Sequence, residues 1–166
     1  GKTLIVFTSD NGGANYIELE DINKPYRGWK ISFFEGGIRV PYIVSWPDEI
    51  NPGKKSDSAV HHFDIFPTIA KAAGIESIHT LDGVDLLPFI KNEKQTKPHK
   101  TLFWRSGNHQ SVLHEKWKYI ISKKENFRWL FDTSVDPLES NNLIESHPEV
   151  ARKIEELMTK FNSEQK

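Results

Sequence analysis

Residues 3–13 read Thr3-Leu4-Ile5-Val6-Phe7-Thr8-Ser9-Asp10-Asn11-Gly12-Gly13, a short and nearly unbroken apolar and β-branched run that stops at a carboxylate, an amide and two glycines. Such a run, closed by a turn, predicts a strand buried on both faces, as in the sheets of α/β folds. Ligands of open α/β sheets gather outside the carboxyl ends of the strands, where Asp10 and Asn11 fall. A carboxylate and an amide carbonyl are hard oxygen donors suited to Ca²⁺ or Mg²⁺, and the glycines let the backbone turn sharply around an ion. No histidine adjoins them, which argues against zinc. Read alone, the tetrapeptide Asp10-Asn11-Gly12-Gly13 is an ordinary turn far more often than a metal site, and only its context raises the second reading. Two ligands also fall short of the roughly 6–8 oxygens that Ca²⁺ takes, so the others would come from outside this sequence or from water.

Outward from that turn, residues 14–34 show no clear period and predict a long loop, followed by a flexible turn at Glu35-Gly36-Gly37. Residues 38–46 (IRVPYIVSW) are strand-like around Pro41, which suits an edge or a strand start. Asp64 is placed to cap a helix over 65–73, with Pro67 in its first turn, Gly74 at its end, and Ile65, Ile69 and Ala72 or Ala73 as its buried stripe. The polar stretch 92–100 (NEKQTKPHK) reads as a linker. It divides the chain into the C-terminal part of an α/β core, 1–98, and a small α+β subdomain, 99–166. In the latter, runs at 101–105, 110–113, 117–122 and 129–132 predict a four-stranded antiparallel meander. Ser146-His147-Pro148-Glu149 has the form of a capping box, and Val150, Ile154, Leu157 and Phe161 follow at helical spacing, so a last helix should cover one face of that sheet.

With 22 basic and 23 acidic residues and a net charge of −1, the chain offers no polyanion-binding surface, so nucleic acid is not an expected partner. There is no cysteine, which excludes disulfides, thiolate zinc sites and a cysteine-derived nucleophile within these residues. The longest apolar run, 4–7, is far short of the roughly 20 residues of a membrane span. The chain opens Gly1-Lys2-Thr3 and enters a strand pattern almost at once, so it reads as cut from something longer, and the lack of a signal-peptide pattern then says nothing about export.

A series of short motifs gives these elements a context. Ser9-Asp10-Asn11-Gly12-Gly13 is followed by Arg27-Gly28-Trp29-Lys30, Glu35-Gly36-Gly37-Ile38-Arg39-Val40-Pro41, Asp64-Ile65-Phe66-Pro67-Thr68 and Ala73-Gly74-Ile75. Trp117-Lys118-Tyr119-Ile120, Leu130-Phe131-Asp132, Asp136-Pro137-Leu138-Glu139, Asn141-Asn142-Leu143 and His147-Pro148-Glu149 complete it. In that order and at those intervals the chain resembles the second half of the type I sulfatases, of the alkaline-phosphatase-like superfamily, along nearly its whole length. The resemblance implies hydrolysis of sulfate esters by a formylglycine, made from the first residue of a Cys/Ser-x-Pro/Ala-x-Arg motif, whose hydrate attacks sulfur beside bound Ca²⁺, with Mg²⁺ as the alternative. That motif is absent here, so the formylglycine is expected upstream.

By the same resemblance Asp10 and Asn11 are two metal ligands, and Lys30 is the catalytic residue that grips sulfate; an ammonium aimed at a sulfate oxygen stabilises charge developing in the transition state. Trp104, Arg105 and His109 begin the small subdomain, where family members often contribute to the substrate pocket, and an arginine there suits a carboxylate or sulfate on a sugar. An ordinary surface loop is the competing reading. Glu35 and Arg39 are expected to pair and hold loop and strand together, and His61 and His62 to be one half-buried and one exposed histidine beside the helix cap. Where family members often have an arginine before the Trp-Lys strand, this chain has Leu113-His114-Glu115, which leaves the substrate class open.

The expected partners are therefore a sulfated small molecule or carbohydrate and the upstream half of the same protein, with a periplasmic, secreted or lysosomal setting implied by the family. A phosphatase or phosphonate hydrolase of the same superfamily is the second reading, although such enzymes commonly carry histidine where Asn11 stands. A noncatalytic calcium- or sugar-binding module is the third. If strand neighbours are encoded upstream, residues 1–166 alone expose sheet edges and apolar faces and should be poorly soluble.

Overall fold

A strand must satisfy its backbone against a neighbour. In a computed structural model describing residues 1–19, 21–76, 80–122 and 124–164, the first strand, β1 (Ile5–Thr8), finds one in β2 (Tyr42–Ser45). The other elements are α1 (Glu35–Ile38), α2 (Ile65–Ala72), α3 (Leu87–Ile90), β3 (Thr101–Ser106), β4 (His109–His114), β5 (Trp117–Ser122), β6 (Phe127–Asp132) and α4 (Pro148–Glu164), with 3₁₀ turns at Asn15–Ile17 and His62–Asp64. By their contacts they form two units, residues 1–10 with 41–100, and residues 11–40 with 101–166. No helix among the described residues is long and apolar enough to cross a membrane.

In the first unit β1 and β2 pair antiparallel, with Val6 opposite Val44 and Phe7 opposite Ile43. Side chains alternate between the faces of a pleated pair. Ile5, Phe7 and Ile43 share one face and remain 56%, 61% and 56% exposed, an open apolar face of the kind expected of residues 1–166 alone. Helix α2 departs from its expected stripe: Ile69 is 46% exposed, while Thr68 and Ala70 are buried. The reason is polar, because the Thr68 hydroxyl donates to the Asp64 carbonyl at 2.6 Å and accepts from the Leu86 amide at 3.0 Å, which draws that side of the helix inward. Asp64 precedes α2 without capping it through its side chain. Its fully buried carboxylate instead accepts from the amides of His61 (2.8 Å) and Val84 (2.9 Å) and lies 2.9 Å from His99 Nε2, so one side chain ties three segments together.

The second unit is built on the meander β3-β4-β5-β6, antiparallel throughout, with each strand extending one or two residues past its expected ends except β5. Its first face, with Val112, Tyr119 and Leu130 fully buried, packs against Ala151, Ile154 and Met158 of α4, and Phe103 stacks on Phe161 at 4.2 Å. The expected stripe on α4 therefore holds at Val150, Ile154 and Phe161, with Ala151 and Met158 buried beside them. The helix starts one residue later than the capping-box pattern suggests, because the Ser146 hydroxyl donates to the Leu143 carbonyl. The other face carries Lys118, Trp129 and Phe131 and receives Phe34 and Glu35 of the 11–40 segment. Glu35-Gly36-Gly37 is one turn of helix with both glycines buried, where the sequence predicts a flexible turn.

Candidate functional site

The site residues of the second unit are brought together by backbone bonds between two loops. The Gly12 amide donates to the Gly37 carbonyl at 2.9 Å, and the Lys30 amide donates to the Gly13 carbonyl at 3.0 Å. Asn23 clamps the same junction, accepting from the Gly13 amide at 2.7 Å and donating to the carbonyls of Gly13 (2.9 Å) and Gly28 (3.1 Å). A methyl group at Gly12 would fall on the Gly36 carbonyl oxygen, and one at Gly37 on the Ser32 carbonyl oxygen, so close approach is what these two positions require of glycine. Asn11 thus lies next to a turn that is bonded directly to the backbone of Lys30. The residue after Lys30, Ile31, has φ 84° and is 74% exposed. A β-branched residue in the left-handed region costs about 1–3 kcal/mol, and such strain gathers at functional sites.

The loop bearing Lys30 is anchored on the sheet by charge. Lys118 Nζ, fully buried on β5, lies 2.6 Å from Glu35 Oε1 and 2.8 Å from Glu139 Oε1, the latter contact held by charge without hydrogen-bond geometry. Glu139 Oε2 accepts from the Glu35 amide at 2.6 Å, and Arg27 donates to the Glu139 carbonyl at 3.2 Å. Burial pushes the Glu139 carboxyl above its ordinary range, while the Lys118 charge draws it back. Arg27 also lies over the rings of Phe34 (4.1 Å) and Trp129 (5.0 Å). The expected Glu35–Arg39 pair exists at 3.4 Å, but Lys118 is the closer partner. Sequence reasoning passed over Lys118, Glu139 and Asn23. Asn23 carried no signal, whereas a lysine flanked by Trp117 and Tyr119 in a strand offered one.

In the first unit, Asp10 follows β1 and is exposed. The peptide that leads into it is pinned: the Ser9 carbonyl lies 2.8 Å from His62 Nε2 and accepts the Thr8 hydroxyl at 3.3 Å. His62 stands on the 3₁₀ turn fixed by Asp64 and, like His61, is partly buried, so neither is the exposed histidine expected. Burial, and then the neighbouring His62, lower the pKa of His61. Asp10 and Asn11 offer hard oxygens only, a set that fits a hard cation and not zinc. Among the described residues no group of three histidine, cysteine or carboxylate side chains gathers to complete a metal site.

The three remaining predicted residues separate. Pleat alternation puts Trp104 and His109 on the sheet face that also carries Lys118 and Trp129, with Trp104 opposite Ser111. His109 lies 3.3 Å from Glu125 and packs its ring 5.8 Å from Phe127. Arg105 points to the other face, where it donates to Asn162 of α4 at 3.4 Å.

Residues 28–166 match the family described as N-sulphoglucosamine sulphohydrolase, C-terminal. The chain is 34% identical over 154 residues to steryl-sulfatase of Rattus norvegicus, covering 88% of this chain and 26% of that protein. It is 29% identical over 183 aligned positions to the N-acetylgalactosamine-6-O-sulfatase of Bacteroides thetaiotaomicron, covering 95% and 36%. A solved structure with its substrate D-glucosamine-2-N,6-O-disulfate superposes with a TM-score of 0.72 at 25% identity, over 98% of this chain and 34% of that one. The chain therefore spans between about a quarter and just over a third of the length of these relatives.

Proposed function

The chain belongs to the sulfatase family, as its C-terminal part, and on that premise we propose that it forms the sulfate-gripping side of a sulfate ester hydrolase. Lys30 binds a sulfate oxygen and opposes the negative charge that builds as the ester bond breaks. Asp10 and Asn11 hold calcium, or magnesium in its place, by their hard oxygens, with further ligands drawn from outside this sequence or from water. When bound, the cation supplies fixed positive charge beside the sulfate. The nucleophile is a formylglycine, also from outside this sequence, which has no cysteine and no Cys/Ser-x-Pro/Ala-x-Arg motif.

The substrate class is a sulfated carbohydrate. Two of the relatives described above are named for sulfated amino sugars. Trp104 and His109, which share a sheet face, are the residues set to meet the sugar, and Arg105 joins them only by leaving Asn162.

The observation that carries this reading is the bond from the Lys30 amide to the Gly13 carbonyl, which ties the lysine's backbone to the turn that follows Asn11. The test is sulfate release from an aryl sulfate by the natural full-length product with Ca²⁺. Replacing Lys30→Ala should lower kcat by about 10²–10³-fold, the usual cost of deleting one preorganised charge-stabilising group. Wild-type turnover in that variant would refute the assignment.

A further inference from the structure

We propose that His62 is a positioning residue that fixes the peptide from which the Asp10 side chain departs. The inference rests on the reading of Asp10 as a metal ligand. A carbonyl can only accept, so the 2.8 Å contact between His62 Nε2 and the Ser9 oxygen makes Nε2 the protonated nitrogen and His62 the donor. The Thr8 hydroxyl is the second donor on that oxygen, and its own oxygen lies 3.3 Å from Nε2, so ring, hydroxyl and carbonyl form one closed arrangement. The peptide between Ser9 and Asp10 is planar, so fixing its oxygen fixes the whole unit and with it the point from which the Asp10 side chain departs.

The donor is itself held. His62 opens the 3₁₀ turn whose other end is Asp64, and the buried Asp64 carboxylate is bonded to the His61 amide, the Val84 amide and His99. The neighbouring His61 ring stacks on Phe63 with centroids 4.0 Å apart. A rigid turn 53 residues away along the chain therefore controls the exit from β1. Asp10 itself is exposed and cannot be aimed by packing, so a hydrogen bond to the preceding peptide is the means the structure provides. Groups that orient a metal ligand from behind typically change affinity about 10–100-fold when removed.

The experiment is calcium titration by calorimetry on the metal-stripped natural full-length product, with its metal-free thermal stability measured alongside. His62→Leu should weaken calcium binding about 10–100-fold, and His62→Gln, whose amide nitrogen reaches close to the position of Nε2, should restore most of it. Unchanged affinity in His62→Leu, while Asp10→Ala abolishes binding, would overturn the positioning role and leave the ligand assignment intact. Unchanged affinity in Asp10→Ala would remove the assignment, and the inference with it. Should His62→Leu fail to fold, the comparison passes to His62→Gln against His62→Asn, whose amide sits nearer the position of Nδ1. Tighter binding by the glutamine variant is then expected, and equal affinities would overturn the proposal.

Discussion

The two faces of the β3–β6 sheet are covered in opposite ways. On one, Val112, Tyr119 and Leu130 meet Ala151, Ile154 and Met158, an apolar seam with polar contacts at its margin, where Tyr119 donates to Glu155 and Arg128 pairs with Glu155 at 3.3 Å. On the other, the loop carrying the proposed sulfate-binding lysine is fastened by Lys118 between two carboxylates and by Arg27 over two aromatic rings. Apolar packing is non-directional and tolerates small shifts of one element over another. A buried charge bound by two carboxylates does not, since displacement leaves ions without partners in a poorly solvating interior. The helix face supplies stability, and the charged face supplies register, as a loop proposed to present Lys30 requires.

The sharpest way to break this contrast is Lys118→Met, which leaves Glu35 and Glu139 facing one another without their cation. Loss of about 3–5 kcal/mol is expected by denaturant unfolding, and limited proteolysis should cut within 27–37 before it cuts the sheet. Cleavage that begins in α4 would place the weak point on the wrong face. Ile154→Ala probes the apolar face, with an expected loss of about 2–4 kcal/mol from burial and cavity terms together; the 27–37 loop should then keep its protease resistance until global unfolding. The smallest effect belongs to the exposed margin: Arg128→Gln should cost about 0.2–1 kcal/mol, and less in high salt. A larger loss, measured by the same unfolding titration, would mean that the helix face also depends on charge.

Much of this was readable in advance. The four strands between 101 and 132 announce themselves by short aromatic and β-branched runs, and the last helix by Ile154 and Phe161 at helical spacing. Asp10, Asn11 and Lys30 were readable as candidates because the motifs around them are short and contiguous. The buried stripe of α2 was misjudged for a physical reason: the helix face that turns inward was chosen by the Thr68 hydroxyl bridging Asp64 and Leu86. Likewise the Asp64 carboxylate looked like a cap for the helix beside it and instead binds the His61 amide behind it, Val84 and His99.

The sequence by itself determined where the six strands and the helices α2 and α4 lie, though not the one-turn helices α1 and α3, and it determined where the turns of the meander fall and which residue types are available for sulfate and a hard cation, because periodicity, turn chemistry and donor type act over a few neighbouring residues. The tertiary structure alone decided that residues 11–40 lie with the small sheet, that Lys118 is buried, and that Arg105 turns toward α4 while Trp104 and His109 turn away from it. Those outcomes depend on partners far away along the chain, Glu35 lying 83 residues from Lys118 and Asn162 57 residues from Arg105. A charge is buried only when its counter-charges arrive in the same place, and no local pattern records where they will come from.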